Sequence, residues 1–372
     1  MDVASEMIHS LLPVFLVRTL GAGAETVGLI EGLGEATASC TKLISGWLSD
    51  RWGRRKTLAV LGYGLGALAK PLFALASTAG WVLAARVTDR VGKGIRGAPR
   101  DALVAQLAPA QLRGAAYGLR QSLDTVGAFA GPVLAIVLMA LLHASIRQVF
   151  WIAVVPGAMA ALLLATAVRE PTAQRERSAE HTLRRGEIRE LGAAFWRVLA
   201  LASLLTLARF SEAFLILRAR DAGLSVPLVP LVLVLMNVVY AASAYPSGAW
   251  SDRIGRRGLL ITGFLTLALA DAVLALAGSL TGVLLGVGLW GLHMGLTQGL
   301  FAAMVADAAP ERLRGTAFGV FNFALGLALL AASLLAGALW QRVGPAATFL
   351  AGTAITLAGV MTALVGAVRL RA

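Results

Sequence analysis

Between Arg86 and Asp101 the stretch RVTDRVGKGIRGAPRD carries seven ionisable groups: Arg86, Asp89, Arg90, Lys93, Arg96, Arg100 and Asp101. Three chemistries fit such a run: a glycine loop around phosphate, a solvated connection, or a charged helix face within a membrane. GKGIRG from Gly92 satisfies G-x-G-x-x-G. That fingerprint binds a dinucleotide only after a strand and before a helix of a soluble βαβ unit, and here WVLAARVTDR precedes it. At about 100° per residue all seven charges fall in a sector of about 140°. Leu83, Val87, Val91 and Ala98 oppose them. Charges at membrane depth face a bundle interior or a watery cavity and mark ion or substrate paths. Pro99 lacks a backbone donor and is expected to bend or end this helix, bringing Arg100 and Asp101 near its mouth.

Matching acids occur nearby. Glu31, Glu35 and Lys42 lie within about 40° of one another on a helix. Asp2, Glu6 and His9 share a face, and Arg120 with Asp124 is an i, i+4 pair. The second half of the chain is sparser, with Arg209, Glu212, Asn237, Asp271, His293, Gln298 and Asn322. Burial favours a protonated carboxyl and a nearby Arg an ionised one, so such acids can be tuned to take up and release protons. Glu6, Glu31, Glu35, Asp89, Asp124 and Glu212 are therefore expected proton-coupling or cavity groups. Arg86, Arg90, Lys93, Arg96 and Arg120 form the expected substrate or charge network. The alternative is that the acids only neutralise these cations.

The elements that must position these groups follow from composition. The chain has 372 residues, of which only 14% are charged and 58% hydrophobic, with a mean hydropathy of +0.77. Soluble domains carry about 25% charged residues, so this is an integral membrane protein. Apolar runs of about 20 residues, enough to cross hydrocarbon as helices, recur throughout. The short alternating segments of an outer-membrane barrel are not seen. The lone Cys40 makes no intrachain disulfide, and MDVASEMIHSLLPVF lacks the basic start of a cleavable signal. No G-x-S-x-G or H-E-x-x-H occurs, and His9, His143, His181 and His293 are dispersed, with His143 and His181 expected in loops. No enzyme activity, cofactor or metal site is expected.

The sequence repeats itself. GWLSDRWGRRK from Gly46 returns as GAWSDRIGRRG from Gly248, and APAQLRGAAYG from Ala108 returns as APERLRGTAFG from Ala309. Residues 1–168 and 198–372 therefore read as duplicated halves of six spans each. The expected architecture is an all-α membrane protein of two pseudo-symmetric six-helix bundles, twelve transmembrane helices in all, joined by an Arg- and Glu-rich linker over 169–197. At the offset of 201 set by the second pair, residues 81–106 align with the almost uncharged GVLLGVGLWGLHMGLTQGLFAAMVAD from Gly282. The charged stretch is thus predicted to be the fourth span.

Basic residues are asymmetric. Arg51, Arg54, Arg55, Lys56, Arg113, Arg253, Arg256, Arg257, Arg312, Arg314, Arg369 and Arg371 join the linker's arginines on one side, while Arg18, Arg147, Arg218, Arg220 and Arg342 lie opposite. The positive-inside rule places the linker and C-terminus in the cytoplasm. The net charge of +13 is accordingly an orientation signal rather than a nucleic-acid surface.

The duplicated G-x-x-x-D-R-x-G-R-[RK], between the second and third spans of each half, resembles the loop motif of the major facilitator superfamily. The resemblance covers the whole chain and implies alternating access by two six-helix bundles around a central cavity. It implies conformational roles for Gly46, Asp50, Arg51, Gly53, Arg54 and Arg55, and for Gly248, Asp252, Arg253, Gly255 and Arg256. The bare reading of the same residues is that of positive-inside anchors in a tight turn. GAFAGP, containing Gly127, Gly131 and Pro132, resembles the fifth-span motif of the family's antiporters, although it lacks the trailing Gly-Gly. Its small residues also suit close helix packing. The family's fourth-span Arg motif fits from Arg86 with Asp89 at the Gln position, or from Arg90 with Lys93 there. SEM, IEG-x-x-E and DR-x-GKG-x-R-x-x-PRD resemble a bacterial and archaeal exporter-like subgroup. First spans of the family begin further upstream than Asp2, so an early turn is expected to be missing or the start placed late.

The leading expectation is a secondary transporter of a small organic molecule working by proton-coupled efflux. It would be monomeric, multi-pass in the lipid bilayer of a prokaryotic inner (cytoplasmic) membrane, and without nucleic-acid partners. Alternatives are facilitated or symport movement of an anionic metabolite on Arg90, Lys93 and Arg96, and a non-transporting receptor or scaffold on a transporter fold.

Overall fold

A computed structural model describes residues 1–52, 54–107, 112–168, 190–254, 256–310 and 313–364. The 169–189 part of the linker, with His181, lies outside them. Among the described residues every regular element is helical. In hydrocarbon, helices satisfy all their backbone donors and acceptors internally, which open strands cannot do.

The first half contains α1 (Asp2–His9), α2 (Leu12–Val14), a π turn over Phe15–Thr19, α3 (Ala24–Trp52), α4 (Arg55–Leu75), α5 (Ala79–Leu107), α6 (Arg113–Ile136) and α7 (Ile146–Ala167). The second contains α8 (Ala193–Ala208), α9 (Ala213–Asp221), α10 (Leu231–Ile254), α11 (Arg256–Leu276), α12 (Leu280–Ala308), α13 (Arg314–Arg342) and α14 (Pro345–Leu364). Taking α1 with α2, and α8 with α9, as single interrupted spans gives twelve. Nine of the described helices are apolar and long enough to cross a membrane on composition alone. The charge-bearing α3 and α5 are not among those nine.

The repeat is visible in helix bounds. α4 and α11, and likewise α5 and α12, start and stop at positions offset by 201. Each half also interrupts its first span at an equivalent place, near the buried Ser10 and Ser211. The turn after that span needs glycine in both halves: Gly21 at φ 68° and Gly223 at φ 98° occupy the left-handed region.

Two compact units result. One holds Met1–Phe15 with Leu33–Arg184, the other Leu16–Gly32 with Arg185–Ala372. The first turns of α3 cluster with the second unit because Gly28 and Gly32 let them approach the α13 backbone at Ser333 and Leu330.

In the first unit Phe150 packs edge-to-face on Phe15 and Phe73, with centroids 5.2 and 6.4 Å away. Ser145 and Gln148 form a capping box that starts α7. Arg147 donates to the Ala74 carbonyl at 2.9 Å, closing the end of α4. The second unit uses the same device: Arg218 donates to Leu274 and Ala277 at 2.9 and 2.6 Å, closing α11. Its core centres on Phe210, whose ring lies 5.3 to 5.6 Å from Trp290, Phe349 and Phe214. Arg147 and Arg218 thus both serve helix termini.

Pro99 does not end α5, which continues to Leu107. The expected break is absent because a proline removes one donor, and a buried helix packed on its neighbours tolerates that loss. His143 lies in a loop as expected, at a positive φ of 53°.

Candidate functional site

The glycines of GKGIRG are packing devices. A Cβ on Gly92 would stand 2.7 Å from the Gly62 carbonyl oxygen, and one on Gly94 2.6 Å from Thr41 Cβ. Ser45 donates to the Gly94 carbonyl at 2.8 Å. α5 is therefore held against both α3 and α4 at close range, which sets its charged face among their side chains.

That face is a ladder of pairs. Arg86 donates to His9 Nδ1 at 3.0 Å, joining α5 to α1. Asp89 accepts from Lys70 Nζ on α4 at 2.7 Å, and the same ammonium donates to Ser5 Oγ at 2.9 Å. Arg90 meets Glu35 on α3 at 3.0 Å. Arg96 meets Asp2 on α1 at 3.2 Å, with its guanidinium 4.9 Å from the Tyr63 ring. Below it, Arg100 reaches Asp101 and Asp124 at 3.4 Å, and Arg120 reaches Asp101 at 2.9 Å and Asp124 at 3.5 Å. Lys93 is exposed, and Glu35 and Glu6 are the acids that attract it.

Exposure sorts the ladder into two kinds of pair. Lys70 and Asp89 are sealed, at 1% and 6% side-chain exposure. Glu35, Asp2 and Asp124 are open, at 33%, 33% and 29%, while their arginines stay more buried. Gly127, three residues after Asp124 on α6, lies against Asp2 on α1, so these two acids border the same helix seam.

Of the residues singled out in the sequence, Arg86, Asp89, Arg90, Lys93, Arg96, Glu35, Arg120 and Asp124 come together in the first unit. Gly127 and Gly131 bring α6 onto α1: a Cβ there would stand 3.0 Å from Asp2 Cβ and 2.7 Å from Glu6 Cβ. Pro132 is buried beside them. Glu31, at 1% exposure, and Glu212, just before α9, belong to the second unit. Arg54 is exposed and Arg55 opens α4. Gly46, Asp50 and Arg51 lie within α3, Gly248, Asp252 and Arg253 within α10, and Arg256 opens α11. The side chains of those seven, and Gly53 and Gly255 altogether, lie outside the described residues.

Lys70 and Asp101 also complete the ladder, through Asp89 and Arg120. Asp2 and His9, placed only on a polar face, prove to be the α1 contacts of Arg96 and Arg86. The available signal for Lys70 was a lone cation in an otherwise apolar span.

Twelve helices in two halves, with a paired-charge face in the first, define a multi-pass secondary transporter. The Major Facilitator Superfamily profile matches residues 1–218 and 199–371. An uncharacterized MFS-type transporter of Methanocaldococcus jannaschii is 33% identical over 364 residues, covering 96% of this chain and 89% of that protein. A class E tetracycline resistance protein of Escherichia coli is 33% identical over 103 residues, 28% of this chain and 24% of its own length. In fold, the crystal structure of a peptide transporter, POT, aligns with a TM-score of 0.81 at 14% identity, covering 99% of this chain and 92% of that one. The chain belongs to the major facilitator superfamily, a family of transporters rather than enzymes.

Proposed function

We propose that this transporter exports a small organic molecule in exchange for protons. The observation that carries this reading is the set of part-exposed acids, Asp2, Glu35 and Asp124, each paired with a more buried arginine among Arg90, Arg96, Arg100 and Arg120. Loading a proton on one of these acids loosens arginines of α5, and releasing it restores the pairs. Ion pairing thereby links protonation to helix position. The close α1–α6 packing at Gly127 and Gly131 transmits such a change. Asp89, sealed against Lys70, positions the ladder. The loop-motif residues brace one conformation, with the linker and C-terminus in the cytoplasm of a prokaryotic cell.

The test is a panel of compounds including tetracycline, supplied to purified protein in liposomes with and without an imposed pH gradient. Gradient-driven movement of a panel member supports the reading, and equal flux in both conditions rejects coupling.

A second reading is movement of an anionic metabolite, favoured by the exposed Lys93 beside Arg90 and Arg96. Substituting Arg90→Lys should then impair anion transport, since Lys cannot reproduce a bidentate guanidinium contact.

A further inference from the structure

The second unit buries a carboxyl that the mechanism above does not use. Asp271, in the middle of α11, is 0% exposed, and neither of its oxygens has a hydrogen-bond partner among the described residues. It faces α14 at Gly352, where its Oδ2 occupies the space a Cβ would take, and the Ala208 carbonyl oxygen borders the same spot at 3.3 Å from that Cβ position. A carboxylate and a carbonyl both only accept, so an ionised Asp271 gains nothing from this neighbour. A protonated one carries a donor.

The surrounding cations are engaged elsewhere. α14 brings no ionisable residue within its described length. From α12 comes His293, whose Nδ1 lies 2.7 Å from the Gly263 carbonyl and whose ring packs on Phe264. From α9 comes Arg218, donating to Leu274 and Ala277. Arg209 and Glu212, at the break between α8 and α9, have interactions of their own, and neither hydrogen-bonds Asp271. The repeat sharpens the point. At the offset of 201, Asp271 corresponds to Lys70 and Trp290 to Asp89. The first half pairs a cation with an acid at these positions, while the second keeps an acid and replaces its counter-charge with an indole.

An ionised carboxylate without partners in an apolar interior is prohibitive, and such a group neutralises instead. We propose that Asp271 is a proton-binding site in the second unit, its carboxyl occupied by a proton in this conformation and separate from the ladder of the first unit. Its use in transport rests on the proton-coupled reading, but its occupancy does not.

Infrared difference spectroscopy of the purified protein tests it. At neutral pH the wild type should show a protonated-carboxyl C=O band that shifts on deuteration and persists under mildly alkaline conditions. Asp271→Asn should lose that band, and Asp271→Glu should move it, which separates a specific loss from misfolding. An Asp271→Asn spectrum that keeps the band, or loses ionised-carboxylate intensity instead, overturns the proposal. If the band behaves as expected while no pH gradient drives flux in the wild type, the coupling reading fails and the proton site stands.

Discussion

α5 and α12 occupy equivalent places in a duplicated chain, yet they are held by different physics. α5 is clamped by charge: Arg86, Asp89, Arg90, Arg96 and Arg100 each meet a partner on α1, α3, α4 or α6. α12 is clamped by rings, with Trp290 packed on Phe210, and His293 on Phe264. The duplication preserved backbone lengths and let side-chain chemistry diverge. On the proposed reading the half with reversible ion pairs responds to protons, while the aromatic half buries an acid, Asp271, without a hydrogen-bond partner among the described residues.

The largest expected effect comes from breaking a sealed pair. Lys70→Met strands Asp89 in a buried site, and removing one partner of a buried pair is worth about 3–5 kcal/mol of stability. Thermal unfolding in detergent should show the loss, and Lys70→Met with Asp89→Leu should regain most of it, because a well-packed apolar replacement is often neutral. A smaller effect follows from crowding the α4–α5 seam. Gly92→Ala places a methyl against the Gly62 carbonyl and should destabilise by about 1–3 kcal/mol in the same assay. Opening an accessible pair should change function more than stability: Glu35→Gln should lower the melting temperature little and reduce gradient-driven flux strongly. The smallest effect is expected at Arg342 and Glu25, whose side chains are 76% and 45% exposed. Arg342→Ala should alter stability by about 0–1 kcal/mol, measured by the same unfolding.

The internal repeat made α5 legible as a span despite its charge, because its twin α12 is plainly apolar. Helical angles bring the charges of α5 to one face, since a face depends only on rotation along one helix. They could not say which neighbour each charge meets. Lys70 and Asp89, or Glu25 and Arg342, are joined by packing between helices, and that information is spread over residues far apart in the chain. The roles of Gly92 and Gly94 were likewise hidden behind a phosphate-loop pattern, because a close helix contact requires the same absence of side chain as a tight phosphate turn. Asp271 looked ordinary for a different reason: its significance lies in the partners it lacks, which only the surrounding α12, α14 and α9 reveal.

The central claim is that carboxyls of the first unit carry the coupling proton. It is tested most directly by proton uptake in liposomes holding an internal pH dye, comparing wild type with Asp124→Asn during flux of a transported panel compound. Proton movement stoichiometric with flux in the wild type, and downhill flux without proton movement in the variant, is the expected result. Unchanged coupled proton movement in Asp124→Asn would contradict it.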